Sequence, residues 1–473
     1  MTEIEEVRMS GAPVATVARP KGAVASLLLA TLGFFLITLD VSIVNLALPS
    51  MAADLGGDTS AQQWILDGYT LFFAALLPFA GNLSDRLGAK RAYVIGIAAF
   101  AVTSLLGALA PTMSFLIGAR CVQGIAAALM LPASMTLVRE AFPDSAPRAR
   151  ALGVWAAGGA VASAAGPILG GVLSSWDWRL VFLVNVPVCV IMLLLSIRVA
   201  RSPGRPSRFD WAGQLLALIA LGTLIYALIE GGVVGYTNPV IIGLFLLGAV
   251  ALAAFIGVQA RTRTPMMPLT LFRSGAMRVA FFGGFVFIFA WFGIVFLASL
   301  YLQQHLGMPA ALAGLVFLPA ALGSFVGNLS SGPLTNRFGP RVPAALGMTL
   351  LLLGLVGFAV SAPADSAILI GAFLAVSGIG GSIATPSLAG VVLASAPAGQ
   401  AGIASAVANT YRQVGGAFAI AVFGALVSGG LGFITGLQVS AGIAAVLALV
   451  AALLALTLPG PAPARRTEGS TSR

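Results

Sequence analysis

The sequence predicts an all-α integral membrane protein: two six-helix bundles with two further helices between them, fourteen transmembrane helices in all. Three observations lead there. Of 473 residues, 59% are hydrophobic and only 8% charged, where a water-soluble domain carries about 25% charged residues. Fourteen apolar stretches follow one another, each near the roughly 20 residues a helix needs to cross a bilayer. And the chain repeats itself. Gly81-Asn82-Leu83-Ser84-Asp85-Arg86-Leu87-Gly88-Ala89-Lys90-Arg91 returns 251 residues later as Gly332-Pro333-Leu334-Thr335-Asn336-Arg337-Phe338-Gly339-Pro340-Arg341. A repeat of that size is a duplicated half, as in many membrane transporters.

The apolar stretches run over 24–47, 62–83, 92–110, 114–138, 150–173, 180–199, 211–229, 239–257, 279–302, 310–331, 342–360, 366–391, 401–426 and 435–458. Continuous runs of this length cross lipid as helices, because only there is every backbone polar group satisfied within the segment. Segments 1–6 and 9–14 form the two halves. A second repeat, Val122-Gln123-Gly124-Ile125 with Pro132 against Val376-Ser377-Gly378-Ile379 with Pro386, has an offset of 254. Segments 7 and 8 are the insertion that makes both offsets so large. The expected divisions are a tail at 1–22, a bundle at 23–199, the two extra helices with basic linkers at 200–278, a bundle at 279–458 and a tail at 459–473.

Lys and Arg in the short loops set the orientation. With the N-terminus inside, 22 of the 25 basic residues fall on the inner side, from Arg8, Arg19 and Lys21 to Arg465, Arg466 and Arg473. Only Arg179 falls outside, and Arg120 and Arg412 lie within segments. The net charge of +10 therefore follows topology, and no basic patch interleaved with aromatics points to nucleic acid. The linkers at Arg198–Arg208 and Arg261–Arg278 read mainly as topology anchors. The N-terminal 22 residues are polar, and the run after them is too long for a signal peptide. Cys121 and Cys189 sit in apolar runs and read as packed small residues. With one histidine, His305, near the outer end of segment 9, no metal-ligand spacing exists.

Glycine is abundant, at 57 residues. Gly158, Gly159, Gly166, Gly170 and Gly171 strip one face of segment 5, and Gly378, Gly380, Gly381, Gly415 and Gly416 do so in the second half. Small residues let membrane helices approach closely. The reading favoured is a sliding contact between halves, against static packing, since Gly166-Pro167 also weakens its helix.

These motifs resemble the major facilitator superfamily, and within it the fourteen-helix drug–proton antiporter branch of quaternary-ammonium and multidrug efflux type. Gly81 to Arg91 is similar to its loop between helices 2 and 3, with Ala89 at a usually basic position. Leu39-Asp40-Val41-Ser42-Ile43-Val44-Asn45-Leu46-Ala47-Leu48-Pro49 resembles its first-helix motif. Arg120, Gln123 and Gly124 resemble the helix 4 motif. Gly166-Pro167-Ile168-Leu169-Gly170-Gly171 resembles the helix 5 antiporter motif, with Ala162 at a usual glycine. Trp176-Asp177-Trp178-Arg179, Phe182, Asn185 and Pro187 resemble the start of helix 6. Tyr301-Leu302-Gln303-Gln304 and Asn409, Arg412, Gln413, Gly415 and Gly416 resemble second-half motifs. The resemblance implies a monomeric, multi-pass transporter of the cell inner (plasma) membrane with both termini cytoplasmic. It implies alternating access, protons and a drug-like compound as partners, and no cofactor. Gly81, Asp85, Arg86, Gly88, Lys90 and Arg91 would latch the halves, Asp85 facing a helix N-terminus of the other half.

Charges inside a bilayer are costly and hence functional candidates. Counting about 1.5 Å per residue, Asp40 lies roughly 24 Å from the inner end of its helix, Asp67 roughly 8 Å and Arg120 roughly 9 Å from the outer surface. Their depths permit contact. A carboxyl in low dielectric holds its proton until a cation approaches, so the three form a candidate proton site; a static salt bridge is the other reading. Arg412 has no acid near it, and Asn409 or backbone carbonyls are its expected partners. Phe34, Phe35, Trp64, Tyr69, Phe72, Met130, Trp291 and Phe292 are cavity candidates by depth, aromatic and Met surfaces being adaptable to apolar and cationic ligands. Segment 10 (Ala311 to Ser331) has no acid, and since some members of the family it resembles carry one there for divalent cations, the resemblance implies that doubly charged cargo is disfavoured. The expected activity is proton-coupled efflux of small amphipathic or cationic compounds. The alternatives are a dedicated exporter of one metabolite or self-made antibiotic, a uniporter or symporter, and a membrane enzyme. The last lacks a loop-borne catalytic set.

Overall fold

The computed structural model describes residues 22–204, 209–262, 265–397 and 400–460. The expected tails, apart from Gly22 and residues 459–460, and the topology residues Arg8, Arg19, Lys21, Arg205, Arg208, Arg263, Arg465, Arg466 and Arg473 lie outside them.

The described residues form helices and no strands. The first half contains α1 (Ala23–Leu55), α2 (Thr59–Leu87), α3 (Ala89–Ala108), α4 (Met113–Ala141), α5 (Ser145–Trp176), α6 (Leu180–Leu183) and α7 (Asn185–Ser196). Two helices follow, α8 (Trp211–Val234) and α9 (Pro239–Arg261). The second half contains α10 (Gly275–Leu300), α11 (Ala310–Val316), α12 (Leu318–Phe338), α13 (Arg341–Ser361), α14 (Ala367–Ser395), α15 (Ala401–Ser428) and α16 (Phe433–Ala455). Short polar side chains start many of them by taking an orphan backbone N–H: Asp58 accepts from Ala61, Thr112 from Phe115, Asp210 from Gly213 and Ser274 from Met277.

The expectation of fourteen spans is met in part. Twelve helical stretches among the described residues are long and apolar enough to cross a bilayer, thirteen if a bent pair is one span. That pair is Arg150–Ser163 and Ala165–Trp176, bent by 40°. Pro167 is the cause: it cannot donate to the carbonyl four residues back, at Ser163. The sixth segment reaches only from Leu180 to Ser196. The protein is a multi-pass membrane protein.

One end of the bundle gathers the basic loops. The carbonyl of Arg198 lies against Gly22, and that of Ser202 against Gly88. At the opposite end Arg179 pairs with Asp54 at 2.9 Å. There too His305 meets Asp365 at 2.9 Å. The duplication holds in the backbone. Gly88 has φ +85° and Gly339, its counterpart 251 residues on, has φ +72°, a region that favours glycine. A Cβ on Gly124 would stand 2.3 Å from the carbonyl oxygen of Tyr69, and one on Gly378 3.0 Å from that of Ala320. Residues 69 and 320 are again 251 apart, so α2–α4 and α12–α14 cross at equivalent places.

The halves are closed at the opposite end and parted at the basic end. One apolar cluster runs from Ile43–Met51 of α1 into α10, α13 and α16. Across the same closure Ser299 Oγ donates to the Asn45 carbonyl (2.8 Å), and Gln303 Nε2 to that of Leu46 (3.0 Å). The basic end holds a cavity of about 1090 Å³ between α2, α4, the start of α15 and the stretch joining α9 to α10.

Candidate functional site

Asp40, in mid-α1, is fully buried at 0% exposure, and Arg120 of α4 at 1%. Their ion pair measures 2.5 Å from Nη1 to Oδ2. The second carboxylate oxygen, Oδ1, accepts from Gln123 Nε2 (3.0 Å) and Asn185 Nδ2 (2.9 Å). Both amides also donate to Ser104 Oγ, at 2.9 and 3.3 Å. Arg120 reaches Gln123 Oε1 through Nη1 (2.8 Å) and the Ile65 carbonyl through Nε (3.0 Å). Its guanidinium carbon stands 4.3 Å from the Tyr69 ring centre. Such a charge pair survives burial only because hydrogen bonds occupy its remaining lone pairs and protons. Among the described residues one donor, Arg120 Nη2, has no hydrogen-bond partner, and neither has the Tyr69 hydroxyl.

Asp67 does not join the pair. It is buried at 0%, and neither of its oxygens has a hydrogen-bond partner among the described residues. Gln63, one turn earlier on α2, donates to the Ile420 and Ala421 carbonyls of α15 (3.1 and 3.3 Å). Asp67 is thus a second buried carboxyl near the seam between halves. A lone buried carboxyl is far cheaper protonated than charged.

The loop after α2 divides into two sets of contacts. Gly81 and Asp85 line the cavity together with Gln400, Gly402 and Ile403 at the start of α15, so Asp85 and a second-half helix N-terminus share one wall. Arg86, Gly88 and Lys90 instead hold the linker beyond α7. Lys90 Nζ donates to the Val199 carbonyl (2.6 Å), and Arg86 lies 5.6 Å from the Phe209 ring centre. Ser202 accepts from the Lys90 backbone N–H (3.2 Å) and donates to Glu140 (2.5 Å). The described residues Val199 and Ser202 of this linker are therefore packed against α3 and α4. Arg91 is exposed.

The glycine stripe is corrected in its direction. Gly158 lies against Thr31, Gly159 against Phe34, Gly166 against Ser42 and Gly170 against the Ile43 carbonyl, all on α1 of the same half. Gly378, Gly380, Gly381, Gly415 and Gly416 likewise meet second-half helices. Only Gly171 crosses over, facing Ala310 and Gly314, while Gly314 faces the Pro167 carbonyl.

Among the cavity candidates, Trp291 and Phe292 line a small central pocket with Val41, Ser42, Asn45, Ser163, Pro167 and Val295. Phe34 stacks on Trp155 at 4.1 Å. Tyr69 lies under Arg120, and Met130 lies against Gly96 of α3. Trp64 turns to α8 and donates to Glu230 (2.8 Å), which Ser60 also meets (3.1 Å). Glu230 was missed because segment 7 was ended at 229, whereas α8 runs to Val234. Asn409 lines the large cavity and Gln413 is half-buried. Among the described residues neither Asn409 nor a carbonyl takes a hydrogen bond from Arg412. Among the described residues His, Cys, Asp and Glu form no group that could hold a metal ion.

A sequence model of the Major Facilitator Superfamily matches residues 30–420. The methylenomycin A resistance protein of Bacillus subtilis is 36% identical over 407 residues, 85% of this chain and 87% of that protein. The multidrug efflux pump LfrA of Mycolicibacterium smegmatis is 32% identical over 422 residues, 88% of this chain and 83% of that protein. Among solved structures, a D-xylose-proton symporter superposes with a TM-score of 0.65 at 15% identity, covering 92% of this chain and 98% of that one. That likeness bears on the fold alone.

Proposed function

The chain belongs to the major facilitator superfamily, and on that premise we propose that it exports small amphipathic drug-like compounds in exchange for protons. The observation that carries the export reading is the pair of relatives above, one named for drug efflux and one for antibiotic resistance, each alike over more than four-fifths of this chain. The methylenomycin name also favours a second reading, a dedicated exporter of one antibiotic.

In the mechanism proposed, the two halves rock about the midplane. The form described here receives cargo at the basic end, which faces the cytoplasm along with both termini. Fourteen spans are then required: the bent pair of α5 is the fifth and Leu180–Ser196 the sixth. Asp40 and Asp67 take up protons from the far side. Arg120 competes with the proton for Asp40, so its approach favours release. Asp85 steadies the N-terminus of α15 when the basic end closes. The molecule acts as a monomer in the plasma membrane and catalyses no covalent chemistry.

The test is uptake of a panel of labelled antibiotics and dyes into inverted vesicles under an imposed proton gradient. Accumulation of several compounds, collapsed by a protonophore, is expected. Accumulation of a single compound would favour the dedicated exporter. Uptake indifferent to the gradient would remove proton coupling.

A further inference from the structure

We propose that Arg412 is the docking group for the anionic head of the exported compound, so that the cavity selects amphipathic carboxylates over amphipathic cations. This rests on the export reading above and narrows its substrate class. Arg412 sits in mid-α15, half-buried, and makes no hydrogen bond or ion pair among the described residues. Its stem lies over Gly284 of α10, where a Cβ would stand 3.4 Å from Arg412 Cγ. On a helix, positions 284, 288, 291 and 295 share one face, and Trp291 and Val295 on that face line the central pocket between the halves. Asn409, one turn before Arg412, lines the large cavity. By its level along α15, Arg412 therefore lies between the wall of the large cavity at Asn409 and the central pocket, although it lines neither.

The surrounding charges have the same sign. Arg139 and Arg273 line the large cavity, against Asp85 as the acid among its described lining residues. The other acids of the spans are engaged or closed off. Asp40 is held by Arg120, Gln123 and Asn185; Glu230 is held by Trp64 and Ser60 on the α8 side; Asp67 is fully buried. A cation entering from the basic end meets two lining guanidinium groups, Arg139 and Arg273, and one lining carboxylate, Asp85, among the described residues. An amphipathic acid meets a guanidinium fork at the apex, which binds carboxylates in two parallel hydrogen bonds, and Trp291 beyond it for its apolar body. The sequence alone admitted cationic cargo; the placement of these charges favours the opposite sign.

The experiment uses the purified full chain and three probes on one fluorophore: dansylglycine, its neutral amide and the cation dansylcadaverine. Binding is read as tryptophan-sensitised dansyl emission. Dansylglycine is expected to bind about tenfold more tightly than the amide, and dansylcadaverine more weakly than either. Arg412→Gln should bring dansylglycine down to the level of the amide without moving the amide. Arg412→Lys, which keeps the charge but loses the paired hydrogen bonds of the fork, should retain part of the preference. Equal binding of acid and amide by the unmodified protein overturns the proposal without any variant, as does an undiminished preference in Arg412→Gln. The same probes in proteoliposomes separate the two readings. Arg412-dependent binding without gradient-driven movement overturns export and leaves the anion site standing. Gradient-driven movement of dansylcadaverine but not of dansylglycine overturns the anion site and leaves export standing.

Discussion

Asp40→Asn is expected to bring gradient-driven export to background and to lower the stability of the protein by about 3–5 kcal/mol, because it leaves the Arg120 guanidinium buried beside a neutral amide. The two losses have separate causes and separate remedies. Pairing the change with Arg120→Gln removes the stranded charge, and neutral hydrogen-bonded substitutes for buried ion pairs are often tolerated. The double variant should therefore regain most of the thermal stability while transport stays at background. Thermal unfolding in detergent, beside uptake in vesicles, reads both. Recovery of export in the double variant would reduce the Asp40–Arg120 pair to a brace between α1 and α4. The clamp argues against a brace alone. Gln123 and Asn185 hold Oδ1, and Ser104 accepts from both amides, so Asp40 keeps partners when Arg120 withdraws from Oδ2.

Gly171→Leu is the second large effect expected. A Cβ there would stand 2.4 Å from the Ala310 carbonyl oxygen, across the seam and at the closed end. The leucine is a wedge that fits only when that end opens. Overpacking of this kind costs about 1–3 kcal/mol, which shifts the balance towards the form open at that end by roughly fivefold to over a hundredfold. A cysteine at Gln303, whose amide bridges to Leu46 in the closed form, should react faster with an impermeant maleimide in the variant, and export should fall because the cycle stalls. Unchanged labelling would mean that Gly171 packs without gating.

Much of this architecture was legible in the residues, for physical reasons. Lipid forces helices on any long apolar run, so the order of elements followed from hydropathy. A duplicated glycine with φ > 0 leaves a duplicated letter, so Gly88 and Gly339 announced equivalent turns. Depth along a helix is a matter of counting, and it brought Asp40 and Arg120 to one level across 80 residues of sequence. Rotation about the helix axis is not, and there the reading fell short. Counting set Asp67 at a similar level without revealing that it faces away from Arg120. A glycine stripe shows which face is bare but not which helix covers it, and α1 covers most of α5 where the other half was expected. Asn185 stood out as a motif residue, yet nothing local marks its amide as a ligand of Asp40. The functional asymmetry of the halves was there to be read. At the 254-residue offset Leu374 stands where Arg120 does, so the second half keeps the crossing and lacks the ion pair.

The position of α8 has a mechanical consequence. It lies along the α2–α15 seam. Gln214 donates to the Ala75 carbonyl (2.7 Å), and Gly232 lies against Ala425, where a Cβ would stand 3.3 Å from its Cα. Ile225 and Ile229 fill the groove with Leu71, Ala417 and Ala421. On the other seam α5 meets α11 and α12 directly. The molecule is thus bound like a book, with a spine along one edge and loose pages along the other. Its motion should be a swing about that spine, not an even parting. Spin labels placed across each seam would report it as a wide distance distribution between α5 and α12 and a narrow one between α2 and α15; equal widths would leave α8 as a passenger.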